Sequence, residues 1–154
     1  MAEKLDPATL TPRTGSSYPA PWNEKAAGRE KRALGDAFGL TQFGVNLVRL
    51  PPGGWSSQRH WHTHEDEFVH VLEGELTLVS DAGEETVRAG ECAGFPAGAE
   101  DGHCFINRSE RDAIYLEVGS RREEDAVHYP DIDLHLPAGR GGFTRKDGRG
   151  YGSA

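Results

Sequence analysis

Through the middle of the chain, apolar and polar residues alternate with a period of two, in short runs. Thr41–Leu50 (TQFGVNLVRL) places Phe43, Val45 and Leu47 on one face, which predicts a strand. Pro51-Pro52-Gly53-Gly54 then enforces a turn. Further strands are expected at Gln58–His62, Glu67–Leu72, Leu76–Ser80, Glu85–Arg88, Glu91–Phe95, His103–Asn107 and Ala113–Val118. Turn sequences separate them, among them Glu73-Gly74-Glu75, Asp81-Ala82-Gly83 and Pro96-Ala97-Gly98. About eight short strands between residues 40 and 119, with no amphipathic helix among them, predict an all-β sandwich or barrel.

The flanks lack this alternation. Residues 1–38 hold four of the nine prolines and read as an extended N-terminal arm, with a short helix around Glu24–Leu34. Residues 39–120 form the barrel unit. Residues 121–154 read as an irregular, polar C-terminal tail with glycine-rich segments at Gly139–Gly142 and Gly148–Gly152. The tail is expected to pack on the barrel through Tyr129–Leu136 (YPDIDLHL), with its last ten residues loose.

Composition narrows the class. At 154 residues the chain is one domain by length. With 36% hydrophobic and 27% charged residues, no apolar run approaches the ~18–20 residues of a membrane span. The N-terminal MAEKLDPATLTPR has no apolar signal region, so a cytoplasmic location is expected. The net charge is −8, from 17 basic and 25 acidic residues, and Arg121-Arg122 is answered at once by Glu123-Glu124-Asp125. Nucleic acid and membrane are therefore not expected partners, because a phosphate backbone needs clustered Lys and Arg. Cys92 and Cys104 lack a CxxC spacing and read as small buried hydrophobes rather than a disulfide.

The histidines change the picture from fold to chemistry. Of seven, three sit at His60, His62 and His64. Residues two apart on a strand point the same way, so His60 and His62 can aim at one point. Glu67 has the opposite parity and joins them only if the chain turns through Thr63–Asp66 and re-enters on a neighbouring strand. Two imidazoles and a carboxylate suit a first-row transition metal better than calcium or magnesium. In HWHTH, His64 is an alternative ligand or a loop residue. Glu65 and Asp66 read as a solvated acidic turn. His70 reads as facing a sheet or subunit contact, and Trp55 and Trp61 as core or pocket residues.

The segment Gly54-x5-His60-x-His62-x4-Glu67-x6-Gly74 resembles the first motif of the cupin superfamily at every fixed position. Gly90-x5-Pro96-x-Gly98 followed by His103-x3-Asn107 resembles the second. Four residues, Ala99–Gly102, separate Gly98 from His103, two more than usual in that motif. The resemblance is to small bacterial single-domain cupins. It implies an antiparallel jelly-roll β-barrel, a fourth ligand at His103, and one divalent transition metal per chain (Fe, Mn, Zn or Ni). It also implies a homodimer formed by strand exchange at the barrel edge, in which the proline-rich arm takes part.

Two function classes follow. One is a metalloenzyme of isomerase, epimerase or dioxygenase type acting on a small oxygenated substrate, with His64 and Glu100 as the candidate acid–base residues. The other is a metal-dependent module that binds or senses a small ligand without turnover. No GxSxG elbow, P-loop or GxGxxG unit competes with these readings.

Overall fold

A computed structural model describes residues 2–139 and 141–152. Its strands are β1 (Arg13–Thr14), β2 (Glu30–Ala33), β3 (Phe43–Leu50), β4 (Trp61–His62), β5 (Glu67–Glu73) and β6 (Glu75–Ser80), followed by β7 (Gly83–Arg88), β8 (Cys92–Phe95), β9 (Cys104–Ile106), β10 (Ala113–Ser120), β11 (Val127–His128) and β12 (His135–Leu136). They form a six-stranded sheet in the order β1-β2-β3-β10-β5-β8 and two three-stranded sheets, β7-β6-β9 and β12-β11-β4. Every strand ladder among the described residues is antiparallel. The arrangement is a jelly roll.

Alternation sets the core. On β5, Val69 and Val71 are buried while Phe68 and Leu72 face out. β10 pairs with β3 from Ala113↔Leu50 to Ser120↔Phe43, so Ala113, Tyr115 and Glu117 share the inner face with Leu50, Val48 and Asn46. Val48, Leu50, Val69, Val71 and Tyr115 pack against Leu76, Val87 and Phe105 from the β7-β6-β9 sheet. Burying a side chain such as Leu50 or Leu76 stabilises the fold by about 1.5–3 kcal/mol. The turn at Gly74 explains a motif glycine: φ is +75°, and a Cβ there would lie 2.8 Å from the Asp112 carbonyl oxygen.

Both flanks are more ordered than their sequences predict. Where a helix was expected around Glu24–Leu34, the chain makes turns through residues 20–28, then β2, then one helical turn, α1 (Leu34–Ala37). The reason is the open edge of β3. β2 pairs with it from Glu30↔Arg49 to Ala33↔Asn46, and β1 pairs with β2. A short isolated helix has no comparable source of stability. Arm and tail also share a second core, in which Tyr18 and Trp22 pack with Val127, Tyr129, Leu134 and Phe143. Tyr129–Leu136, expected to pack on the barrel, packs chiefly against the arm and the rest of the tail, with Tyr129 also beside the His60 ring at 5.9 Å. The last ten residues are not loose as far as Gly152. Arg145 stacks on Tyr151, the Tyr151 hydroxyl accepts from Trp22 Nε1, 3.0 Å away, and Thr144 bridges to Gly150; Ser153 and Ala154 lie outside the described residues. Cys104 is buried as expected, but Cys92 is exposed, because its side of β8 faces away from the core.

Candidate metal centre

His60 and His62 leave the turn after β3 with the same parity, and His103 lies across from His60. His60 N–H donates to the His103 carbonyl at 3.1 Å, and His103 N–H donates back at 2.9 Å. Glu67 opens β5 on the inner face of the large sheet, opposite Gly119 and Phe95. Its Oε1 lies 3.1 Å from His60 Nε2, 3.0 Å from His62 Nε2 and 3.2 Å from His103 Nε2. His60, His62 and Glu67 bring their ligand atoms close enough together to share one transition-metal ion, and His103 points at the same carboxylate oxygen. His103 therefore points at the same centre as the other three, despite the longer loop before it.

The outer ring nitrogens decide which tautomers are held. His60 Nδ1–H donates to the Gln58 carbonyl at 2.8 Å, and His62 Nδ1–H donates to Asp125 Oδ2 at 2.7 Å. Both bonds select the neutral tautomer whose Nε2 lone pair faces the centre, the form that ligation requires. His103 differs: its Nδ1 is buried with no partner among the described residues, and its ring is held by stacking on Phe95 at 3.5 Å between centroids.

Electrostatics follow from that packing. Burial pulls the His62 pKa down, but the carboxylates of Glu67 and Asp125 outweigh it and push the value up to about 9. Burial likewise raises Glu67, yet the three imidazoles around it hold its carboxyl well below the usual range. His103 titrates below the ordinary histidine range, chiefly because it is buried.

The centre forms one wall of a cavity of about 340 Å³ whose lining also includes Tyr18, Arg29, Lys31, Asn46, Tyr115 and Glu117. A smaller cavity of about 120 Å³ reaches the centre from its other side, past Trp61, Phe95 and Asp101. Neither cavity is lined by His64 or Glu100, and both of those side chains are exposed. The placement has a cause for His64. Asp125 Oδ1 accepts from the His64 and Glu65 backbone N–H groups at 2.8 and 3.2 Å, and the His64 ring turns outward to Thr63 Oγ1 at 2.8 Å. His70 sits on the outer face of the large sheet, two residues from Phe68.

Two residues of this site do not stand out in the sequence. Asp125 hides in the acidic run after Arg121-Arg122, where nothing ties it to a histidine 63 positions earlier. Glu117 carried a usable signal: in Ala113–Val118 it is the one charged residue, at the parity of the buried Ala113 and Tyr115. Its carboxylate is 2.6 Å from Lys31 Nζ and accepts from Asn46 Nδ2 at 3.0 Å.

Comparison with known proteins matches this arrangement. A model of the cupin domain matches residues 46–119. No curated protein matches the chain. Among solved structures, a sugar phosphate isomerase of the cupin superfamily from Silicibacter pomeroyi is 48% identical over 98% of both chains, with a TM-score of 0.90. A putative sugar phosphate isomerase from Acidithiobacillus ferrooxidans is 33% identical over 77% of this chain and 75% of its own, with a TM-score of 0.71. The polyketide cyclase RemF from Streptomyces resistomycificus is 25% identical over 78% and 80%, with a TM-score of 0.61. With both histidine motifs on adjoining strands of a jelly roll, and a relative that shares nearly its whole length, the chain belongs to the cupin superfamily.

Proposed function

We propose that the protein is a metal-dependent isomerase acting on a small hydroxy-carbonyl compound, with His60, His62, Glu67 and His103 holding one divalent transition ion. The similarity to two proteins described as sugar phosphate isomerases supports this reading. The observation that carries it is the pairing of a four-residue donor set with a separate carboxylate, Glu117, in one cavity. A carboxylate beyond the donor set offers the acid–base group that turnover needs. The bound ion would act as a Lewis acid, polarising the substrate carbonyl and acidifying the neighbouring C–H.

The chain's own residues do the remainder. Lys31 and Asn46 hold the Glu117 carboxylate in one orientation. Glu117 then takes the proton from the carbon beside the carbonyl and returns it to the adjacent carbon, while the hydroxyl proton passes to the former carbonyl oxygen. The buried Tyr115 hydroxyl, which has no partner among the described residues, borders the same space and can donate to a substrate oxygen. Glu117 takes the acid–base role expected of His64 and Glu100, because it lines the cavity and they do not.

A homodimer and a cytoplasmic setting belong to the same proposal. The arm pairs with its own sheet edge, so the surface that favours dimerisation is the outer face of the large sheet. Phe43 and Phe68 there are each 41% exposed and Leu72 is 43% exposed. The test of function is to load the metal-free protein with Mn, Zn, Fe or Ni and offer aldoses, ketoses and their phosphates in deuterated water. Deuterium entering at the carbon beside the carbonyl is the expected result. Saturable binding with no exchange and no product under any metal would favour the sensing module instead.

A further inference from the structure

The arm builds a further cavity, of about 320 Å³, lined by Arg13, Thr14, Gly15, Ser16, Ser17, Arg29 and Lys31. Arg29 and Lys31 also line the metal cavity, so the two spaces share a wall. Three of the seven lining residues are cationic and none is acidic, in a chain of net charge −8. Most arginines elsewhere in this protein find a carboxylate: Arg49, Arg59, Arg108, Arg121, Arg122, Arg145 and Arg149 all do. Arg13 and Arg29 make no ion pair with any described residue. Arg29 spends its guanidinium on the carbonyls of Gly15 and Ser56 instead, at 2.9 and 2.5 Å.

The pairing of β1 with β2 adds an independent observation. Arg13 stands directly opposite Lys31 in the ladder, on one face of the sheet. Like charges facing each other across an antiparallel pair are destabilising. Glu117 relieves part of that repulsion at Lys31, and an anion beside Arg13 would relieve the rest. Lys31 has Glu117 on the metal side, whereas Arg13 has no carboxylate within ion-pair distance among the described residues; Asp36, which lines a neighbouring cavity with Arg13, is paired with Arg121. Hydroxyl donors from Thr14, Ser16 and Ser17 complete the set that a tetrahedral oxyanion calls for.

From this we infer that the arm cavity is a phosphate subsite, and that the substrate is a small phosphate ester whose carbonyl end lies in the metal cavity. The second half of the inference rests on the proposed isomerase; the first does not. The test therefore separates them. Inorganic phosphate is titrated into the metal-free protein by calorimetry, for wild type, His62→Ala and Arg13→Glu. Saturable binding is expected in wild type and His62→Ala alike, and Arg13→Glu should weaken it by roughly tenfold or more. No binding to the metal-free wild type, or binding that appears only with metal loaded, would overturn the subsite, since phosphate would then be a ligand of the ion. Binding unchanged by Arg13→Glu would overturn it equally. Failure to turn over any sugar phosphate, with phosphate binding intact, would remove the isomerase and leave the subsite standing.

Discussion

His62 Nδ1–H donates to Asp125 Oδ2 across 2.7 Å, so a candidate metal ligand near the start of the barrel takes its orientation from the tail. The same carboxylate accepts from two backbone N–H groups of the loop that follows His62. Outer partners of this kind hold a ligating imidazole in one tautomer.

Asp125→Ala should accordingly weaken metal binding by about 10–100-fold while leaving all four donors in place. Competition against a chromogenic chelator measures it. Unaltered affinity would mean that the loop backbone alone positions His62.

The donors themselves should rank. His62→Ala and Glu67→Ala should abolish tight binding, and His64→Ala should retain most of it. His103→Ala should cost less than either of the first two, because its Nδ1 lacks the anchor that His60 and His62 enjoy. Metal content by elemental analysis after dialysis gives the order. A larger loss in His64→Ala than in His60→Ala would move the ligand set by two residues.

Proton release gives a third prediction. His62 in the metal-free protein carries its proton up to about pH 9, and ligation needs it neutral. Apparent affinity should therefore rise with pH toward about 9 rather than level off near the ordinary histidine value of ~6.5. Calorimetry in buffers of different ionisation enthalpy should show about one proton released per ion near neutral pH. The stability of the metal-free form runs the other way: His62 contributes most below its unfolded value and loses that contribution as pH rises through about 9. Glu67, whose value is depressed, loses its contribution as pH falls into the acid range.

Glu117→Gln should leave metal content unchanged and lower turnover by about 10²–10⁴-fold, the usual worth of a positioned acid–base group. His64→Ala and Glu100→Ala should leave turnover near wild type. Deuterium exchange at the substrate carbon reads this most directly. Undiminished exchange in Glu117→Gln would assign the proton transfer elsewhere.

Phe68→Glu should convert a dimer to a monomer at the concentrations used for light scattering. Its side chain is exposed on the outer face of β5, so the fold should tolerate the change. A wild type that is already monomeric would dispose of the dimer.

The barrel was legible because its strands are half-buried: one face must be apolar, and a two-residue period records that. β3, β5, β6, β7, β8 and β10 all lie where alternation put them, give or take a few residues. β4 is shorter than expected, since His60 pairs with His103 through an isolated bridge. The convergence of His60, His62 and Glu67 was legible for the same reason, as parity plus a turn. What could not be read depends on contacts across long stretches of chain. β2 is a strand only because β3 offers an edge, and no periodicity in Glu30–Ala33 announces it. Asp125 matters only because the tail folds back beside β4, through the pairing of Val127 with His62.

That fold-back has a consequence for the order of events in making the protein. Every motif residue has been synthesised once Asn107 is added, yet β10, which carries Glu117, and the Asp125 carboxylate come afterwards. The second core, which joins Tyr18 and Trp22 to Tyr129, Leu134 and Phe143, closes later still. A nascent chain therefore holds its imidazoles without their orienting carboxylate, and pairings this far apart in sequence are slow to form. A chain interrupted before residue 125 would carry every motif residue and β10, yet lack the carboxylate that orients His62.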